Sequence, residues 1–441
     1  MNVRIRTLSL VAVSAFACVD NAADVKADDN NIAPQALTTT PPSATRTPVA
    51  TATSLAVFPG ERTLLFSQAH FERVMHEGKE IPKPLPAKLL MLTPEGDGFR
   101  ADILQDQESR VFHKAICVKT DVGVRLLTIG GTEAILKMWR VEEGAWKADT
   151  LWNPKFGGKW DRLRDFEVGN VDDDPEFEIV IATHDQGVVA VANRTAGGWD
   201  VIEAQRQANT FVHEIEIGDV VGKGKPSFFA TPSAPNKANQ SQSGGIVMFT
   251  KKADGFARTQ IADLSKSHAK EILVADLDGD GKPELYTAIE AELNGNVEKS
   301  PVEIRRFVPS KRGAWKSQVV ASLPGARQSR VLLAADLTGT GKPDIIATTY
   351  KDGIWRLTPP HKPNGKWSKS QIDANSSGFE HAAGVADLNG DGKPELYVAD
   401  DDKDEIRQYA WDGNSFTRKV IHKTGQSDLT WFVAACAPEE L

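Results

Sequence analysis

The chain has 441 residues, of which 40% are hydrophobic and 25% charged, and these proportions are typical of a globular protein with a sizeable core. Its formal net charge of −8 argues against nucleic acid as the main partner, because a phosphate backbone requires a basic surface. An acidic chain rich in aspartate suits a divalent cation instead. With only three cysteines, the fold cannot be a disulfide scaffold and must rest on its core.

The N-terminus has the pattern of an export signal, which we assign to residues 1–17. Arg4 and Arg6 precede an apolar run at 8–17 that is too short to span a membrane. Cys18 follows at once and resembles the lipidated cysteine of a bacterial lipoprotein; cleavage before Cys18 without lipidation is the alternative. We expect an exported protein that is periplasmic, tethered to the outer membrane or extracellular, and that contacts a membrane only through such a lipid.

Residues 18–58 are rich in Ala, Thr, Pro, Asp and Ser and show no hydrophobic periodicity. They contain too few large apolar residues to form a core, so we expect a disordered linker. The remaining residues, 59–441, are predicted to form one folded domain.

Internal repetition dominates the chain after residue 60. One repeated element is a strand, an acidic loop and a second strand, as in residues 272–286, 331–345 and 383–397. A second element is a glycine followed by an aromatic residue and a β-rich run; its aromatics are Phe99, Trp146, Trp199, Phe256, Trp315, Trp367 and Phe416. With one further short strand, each unit contains four strands, which we call a to d. This pattern predicts an all-β, seven-bladed β-propeller whose aromatics pack between blades rather than stack on sugars.

The two ends of the repeat complement each other. The first unit begins near Thr63 with strand b, whereas the chain ends with an apolar run at 430–436 that aligns with strand a. Pairing of these strands in one blade would close the ring and remove two exposed sheet edges. Cys117 and Cys436 then lie in neighbouring blades, where a disulfide bond and two buried thiols are both compatible with the sequence.

Acidic loops between strands a and b have the spacing of calcium ligands. In D-x-D-x-D-G-x-x-E, alternate side-chain oxygens converge on one point, and Ca²⁺ binds six to eight oxygens. The ligand sets are Asp276, Asp278, Asp280 and Glu284; Asp387, Asn389, Asp391 and Glu395; and Asn170, Asp172, Asp174 and Glu178. The copy at 336–344 has a lower charge and the copy at 219–227 has lost the pattern. We expect structural Ca²⁺ rather than Mg²⁺; for any single loop an ordinary Asp-Gly turn is the alternative.

These loops and their flanking strands resemble the FG-GAP or VCBS repeat, which builds the calcium-binding propeller of the integrin α-subunit head and of many bacterial surface proteins. The resemblance covers roughly residues 60–436 and implies calcium ligands at 276–284 and 387–395, and with substitutions at 170–178 and 336–344. The family includes adhesins, lectin-like modules, polysaccharide lyases and sugar dehydratases. No Phe-Gly-Gly-Ala-Pro string is present, so integrin-like ligand binding is not implied.

The start of strand a predicts a second site, at one mouth of the central channel. Six residues before the first loop ligand, most units carry a cationic or imidazole side chain, and the unit split between the chain ends carries Thr430. With histidines from the ends of strand b, the candidate ligand-binding residues are His70, His113, Arg164, His184, His213, Lys270, Arg330 and His381. Asp165, Glu214 and Glu271 lie beside them. Such a cluster can hold a transition metal, act as general acid and base, or bind an anion; a solvated polar rim is the alternative.

Two functions fit these features. The main expectation is a noncatalytic, monomeric, calcium-binding surface module for a glycan or an extracellular protein. The alternative is a secreted lyase, dehydratase or hydrolase that acts on a carbohydrate at the channel mouth. The linker and the calcium loops favour the first function, and the histidine cluster favours the second.

Overall fold

A computed structural model describes residues 62–436 except 77–78, 132, 158–160, 173, 185, 236–240, 296, 311–312, 351, 363–364 and 377–379. The side chains of residues 79, 80, 82, 380 and 381 are also outside the described set. The predicted signal at 1–17, the predicted linker at 18–58 and the outermost residues of the predicted domain all lie outside the described residues. Within the described part, no helix is long and apolar enough to cross a membrane.

The described residues form 31 strands. The first sixteen are β1 (Thr63–His76), β2 (Lys79–Pro84), β3 (Ala87–Glu95), β4 (Gly98–Asp106), β5 (Val111–Thr120), β6 (Gly123–Gly131), β7 (Leu136–Glu142), β8 (Ala145–Trp152), β9 (Leu163–Gly169), β10 (Glu178–Thr183), β11 (Val189–Thr195), β12 (Gly198–Gln205), β13 (Phe211–Gly218), β14 (Ser227–Ser233), β15 (Gly244–Lys252) and β16 (Gly255–Leu264). The others are β17 (Ala269–Ala275), β18 (Glu284–Ile289), β19 (Glu292–Asn294), β20 (Val297–Ser300), β21 (Val302–Pro309), β22 (Trp315–Leu323), β23 (Ser329–Ala335), β24 (Asp344–Thr349), β25 (Ile354–Thr358), β26 (Ser368–Asp373), β27 (Glu380–Ala386), β28 (Glu395–Asp400), β29 (Glu405–Trp411), β30 (Phe416–Lys423) and β31 (Asp428–Cys436).

Most strands belong to repeated four-stranded antiparallel sheets. Among the described residues there are five such sheets: β9–β12, β13–β16, β17-β18-β21-β22, β23–β26 and β27–β30. A nine-stranded sheet has the order β4-β3-β1-β5-β6-β7-β8, with β2 and β31 also paired to β1. Its two halves meet through a single residue pair, Ala69 and Val111. Repeated four-stranded sheets are the blades of a β-propeller, so the predicted all-β propeller class is confirmed.

The residue pattern of each strand follows its depth in the blade. The strand-b segments β10, β18, β24 and β28 are buried throughout and rich in Ile, Leu, Val and Tyr, as strands covered on both faces are. The outermost strands, such as β8 and β30, are mostly exposed and carry charged residues. Burial is therefore greatest in strand b and least at the outer rim.

The glycine-aromatic element packs as the sequence predicted. Each of its seven aromatics is partly buried against a hydrophobic cluster; they are Trp367, Trp199, Trp146, Phe256, Phe99, Trp315 and Phe416. Several of these clusters join residues of two adjacent sheets, as where Val302 of one sheet and Ile345 of the next share a cluster. The aromatics therefore contribute to the core between sheets rather than to a sugar-stacking surface.

The last strand is fastened near the first. β31 runs antiparallel to β1, with Thr63 opposite Cys436 and His70 opposite Asp428. Cys117 and Cys436 form a disulfide bond with a Cα–Cα distance of 5.4 Å, and both residues are buried. The cross-link joins β5 to β31, so the bridged alternative is the correct one.

Candidate functional site

A common cavity is lined by one strand of each four-stranded sheet and by two strands, β5 and β31, of the nine-stranded sheet. The strands that line it are β5, β9, β13, β17, β23, β27 and β31, and we call them the inner strands. The cavity has a volume of about 250 Å³. The inner strands, and not the loops between them, therefore carry the side chains that a ligand in this cavity would contact.

Each inner strand has a β-bulge near its start. In β5, Phe112 pairs with Gly130 and Lys114 pairs with Ile129, so His113 lies between two pairs without a cross-strand partner. The equivalent bulge residues are Arg164 in β9, Lys270 in β17, Arg330 in β23, His381 in β27 and Trp431 in β31, whereas His213 and Glu214 share the bulge in β13. A bulge changes the direction of a side chain relative to the regular strand. The predicted ring is thus a set of bulge positions, and in the last strand that position is Trp431 rather than Thr430.

The cavity has two chemically different walls. The polar wall, from β5, β9, β13 and β17, carries Lys114, Arg164, Asp165, Glu167, Glu214, Glu216 and Glu271. The opposite wall, from β23, β27 and β31, is largely apolar, and it includes Val331, Leu333, Ala382, Val385, Trp431 and Phe432. Arg330 and His113 also line the cavity.

Lys114 is the most tightly held cation of the polar wall. Its Nζ lies 3.0 Å from Asp165 Oδ1 and 2.5 Å from Glu167 Oε1. The other carboxylate oxygen of Asp165 accepts a hydrogen bond from the Ile215 amide at 2.8 Å. Burial by itself lowers the pKa of a lysine, but the charges of Asp165 and Glu167 outweigh it and raise the pKa of Lys114. Asp165 and Glu167 therefore keep Lys114 in its charged form.

Three glutamates of the polar wall resist ionisation. Burial and the charge of Glu271 hold the pKa of Glu214 well above its ordinary value. Burial also raises the pKa of Glu216, with Glu167 contributing, and that of Glu271, with Asp165 contributing. Arg164 Nη2 lies 3.7 Å from Glu214 Oε1 and opposes this effect. These carboxyl groups keep protons at a pH where a solvated glutamate has lost its own.

The structure brings two of the predicted histidines together behind the cavity wall. The rings of His184 and His213 are 5.2 Å apart, and His268 is 5.1 Å from His213 on its other side. All three are at most 1% exposed, and His213 Nε2 lies 2.9 Å from Ser233 Oγ. Burial, together with Lys270, lowers the pKa of His213, so its imidazole is neutral. A metal ion could be held where three ligand atoms lie within 4.8 Å of one another. Among the described residues, every such group consists of carboxylates, and none includes a histidine.

The other predicted ring residues are dispersed. His70 Nδ1 lies 2.6 Å from Asp428 Oδ1, and Lys88 binds the second oxygen of the same carboxylate at 2.5 Å. His113 Nδ1 contacts the Leu163 carbonyl at 2.5 Å, and its ring lies edge-on to Trp431. Lys270 is buried in β17 and is not part of the cavity lining. The His381 side chain lies outside the described residues.

One predicted calcium loop forms a compact group of carboxylates. Asp172, Asp174 and Glu178 bring their oxygens within 4.8 Å of one another, while Asn170 turns its amide to the Asp174 carbonyl. Burial, with contributions from Asp172 and Asp174, raises the pKa of Glu178 to about 7. This loop fits a divalent cation in both the number and the type of its oxygens.

An arginine enters two of the other loops. Asp276, Asp278 and Glu284 also form a compact group, but the Arg306 guanidinium of β21 binds both Asp278 and Glu284. In the loop at 336–344, Arg356 binds Asp344 Oδ2 at 2.5 Å and donates to Thr338 Oγ1 at 3.1 Å. These guanidinium groups supply the positive charge that the sequence pattern assigned to an ion.

The third predicted ligand set forms hydrogen bonds within its own turn. Asn389 Nδ2 donates to Glu395 Oε1 at 2.8 Å, and Asp387 accepts hydrogen bonds from the amides of Gly390, Asp391 and Gly392. Asp280 and Asp391 likewise accept the amides of Lys282 and Lys393. In these positions the ordinary turn role of aspartate accounts for the contacts.

The sequence reasoning missed three charged residues of the cavity, Lys114, Glu167 and Glu216, and its tryptophan, Trp431. Glu167 and Glu216 lie two positions after Asp165 and Glu214 and therefore face the same side of their strands. Reading the inner strands with period two would have found both. Lys114 and Trp431 follow from the bulges, which no local sequence signal marks.

The comparisons with known proteins support the fold. No protein-family model matches the chain, and no curated protein sequence matches it. Among solved structures, a Lactobacillus plantarum protein superposes with a TM-score of 0.55 at 10% identity, over 85% of this chain and 99% of its own. The Pseudomonas aeruginosa periplasmic gluconolactonase gives 0.51 at 12%, over 85% and 99%. A Bacteroides fragilis protein described as a candidate 6-phosphogluconolactonase gives 0.50 at 13%, over 85% and 98%.

These comparisons correct two expectations from the sequence. The FG-GAP or VCBS assignment is not supported, because no family model matches and two of the three similar solved structures carry lactonase descriptions. The expectation of a noncatalytic surface module for glycans or proteins is wrong, since two of those similar propellers are described as enzymes that hydrolyse lactones. The chain is thus similar to lactonase-type β-propellers in fold.

Proposed function

We propose that the protein is a hydrolase that opens a carbohydrate lactone in the central cavity. The observation that carries this proposal is the pairing of Glu214 with Arg164, at 3.7 Å, on the wall of a cavity of about 250 Å³. An enclosed site with a carboxyl group of raised pKa beside a cation is the usual arrangement for acid–base catalysis. The lactonases among the structurally similar propellers supply the reaction class.

The two glutamates Glu214 and Glu271 would share the acid–base work. Burial raises the pKa of both groups, and the charge of Glu271 raises that of Glu214 further, so we assign the acid role to Glu214 and the base role, in its ionised form, to Glu271. The ionised carboxylate takes a proton from water as the water oxygen bonds to the lactone carbonyl carbon. The protonated carboxyl then donates to the ring oxygen as the bond between that oxygen and the carbonyl carbon breaks, and the product is the open hydroxy acid.

Arg164 would stabilise the oxyanion that forms in this step. It lies beside Glu214 and over the Trp431 ring, 5.6 Å from its centroid, and these contacts hold the guanidinium in place before the substrate arrives.

We further infer a ring of seven blades closed by the chain ends. The contacts between consecutive inner strands support it: β5, β9, β13, β17, β23, β27 and β31 each touch the next, and β31 touches β5. In this interpretation the nine-stranded sheet is two blades, β31-β1-β3-β4 and β5–β8, joined through the pair Ala69 and Val111. Export of the folded domain is supported by the predicted signal at 1–17 and by the periplasmic location of one similar protein.

A single calcium site in the loop at 170–178 is also proposed. Asp172, Asp174 and Glu178 provide the carboxylates. Arg306, which enters the loop at 276–284, lies opposite Tyr286 in its sheet. The equivalent pair in this blade is Val180 and Val191, so the position of Arg306 is taken by Val191, which has no charge. The ion would stabilise the turn, and it takes no part in the hydrolysis.

Hydrolysis of D-glucono-1,5-lactone, followed by acid release above the spontaneous rate, tests the proposed function. We expect wild-type protein to accelerate it and Glu214→Gln to lower kcat by at least about a hundredfold, as removal of an acid–base group does. The control is Glu95→Gln, because that side chain is 67% exposed and remote from the cavity lining. Unchanged rates for Glu214→Gln, or no acceleration by wild-type protein, would refute the proposal.

A further inference from the structure

We infer that the cavity accepts an uncharged lactone of single-sugar size and discriminates against phosphorylated or carboxylated sugars. The inference rests on the proposed function, since it names the substrate class of the same site. Three features carry it: the resistance of the polar wall to further negative charge, the engagement of its cations, and the apolar wall opposite.

The polar wall resists further negative charge, because burial already raises the pKa of three of its carboxyl groups. Among the described lining residues, five carboxyl groups (Asp165, Glu167, Glu214, Glu216 and Glu271) face three cations (Lys114, Arg164 and Arg330). The charges of Asp165 and Glu167 raise the pKa of the buried Lys114, so the charge that remains on this wall is already paired. A phosphate monoester would add a charge of about −1.5 to −2 at pH 7 to this wall.

The cations of the cavity are bound to other groups. Lys114 contacts two carboxylates, at 3.0 and 2.5 Å. Arg164 contacts Glu214 and lies over Trp431, and Arg330 donates to Gln328 Oε1 at 3.0 and 2.8 Å. A phosphate would have to displace these acceptors, whereas phosphate sites usually present bidentate arginines or helix N-termini directly to the ligand.

The opposite wall suits the carbon face of a sugar ring. Val331, Leu333, Ala382 and Val385 line it, with Trp431 at the bulge of β31. Hydroxyl groups both donate and accept hydrogen bonds, so they can pair with ionised and protonated carboxyls on the polar wall. The cavity of about 250 Å³ lies below the range of about 300–1,000 Å³ for drug-sized ligands, so it has room for one sugar ring.

The test compares two lactones that differ only in a phosphate group: D-glucono-1,5-lactone and its 6-phosphate. We expect kcat/KM to be at least about tenfold higher for the uncharged lactone, and added salt to raise the rate of the phosphate alone because it screens repulsion. Glu167→Gln, which removes the carboxylate 2.5 Å from Lys114 Nζ, should narrow the ratio several-fold, while Glu95→Gln should leave it unchanged. Equal or faster turnover of the phosphate would overturn the inference and leave the proposed function intact.

A binding measurement separates the two failures. The unreactive 1,5-anhydroglucitol and its 6-phosphate form a pair that needs no turnover, and calorimetry gives their affinities for the wild-type protein. Tighter binding of the uncharged analogue supports the inference even if no lactone is opened, in which case only the proposed function fails. Tighter or equal binding of the phosphate overturns the inference. The inference also fails if neither analogue binds and no lactone is turned over.

Discussion

The disulfide bond between Cys117 and Cys436 makes a strong prediction about stability. Its two cysteines are separated by 319 residues, so the bond closes a loop that includes almost the whole described chain. In the loop-entropy relation, a cross-link over a loop of this length removes about 19 cal/mol/K from the unfolded chain, or about 5.7 kcal/mol at 25 °C. Because native cross-links often stabilise less than this relation gives, we expect the bond to contribute about 3–6 kcal/mol to the free energy of unfolding.

Urea unfolding of three forms measures this contribution. The oxidised wild type is compared with wild type reduced in denaturant and refolded under reductant, and with the Cys117→Ala, Cys436→Ala double variant. Both cysteines are buried, so the reduced wild type retains the packing of the two sulfurs while it lacks the bond. The difference between reduced protein and the double variant then gives the packing loss alone.

The expected order of urea midpoints is oxidised, reduced, then double variant. If oxidised and reduced proteins unfold within about 1 kcal/mol of each other, the unfolded chain is not constrained as the loop argument requires. That result would also weaken the inference that β31 holds the ring closed, because the bond joins β31 to β5.

Three further predictions concern stability. Calcium at a hundred times its Kd should stabilise the fold by about 2.7 kcal/mol, which thermal melts can measure. Asp174→Asn should abolish this stabilisation, whereas Asp278→Asn should retain it, because the Asp278 carboxylate binds Arg306. Burial raises the pKa of Glu216 in the folded protein, so the ionisation of this group opposes folding once the pH exceeds the ordinary value of about 4.5. In thermal melts, the stability advantage of Glu216→Gln over wild type should therefore be larger at pH 8 than at pH 5. Removing residues 428–441 exposes the partners of Leu429, Trp431 and Val433, which are 2–6% exposed, and should abolish cooperative melting; an unchanged melting temperature would contradict the pairing of β31 with β1.

The candidate site was only partly predictable from the sequence. Counting back from the acidic loops found the bulge positions. The bulge itself decides whether a side chain enters the cavity or packs behind it, and the position of the bulge depends on pairing with the neighbouring strand. His213 therefore lies among buried rings, whereas Glu214, the next residue, lines the cavity. The calcium loops show the same limit, since Arg306 reaches Glu284 from a strand 22 residues further along the chain.

The sequence by itself determined the four-stranded repeat, its buried strands and its inter-sheet aromatics, because apolar alternation, Gly-rich turns and β-branched residues act over a few neighbouring residues. Only the tertiary structure decided which charges share the central cavity, which acidic loop lacks an arginine, and that Cys117 and Cys436 are bonded. These properties depend on distances between side chains from different strands, and packing sets those distances to within an ångström while local sequence leaves them undetermined.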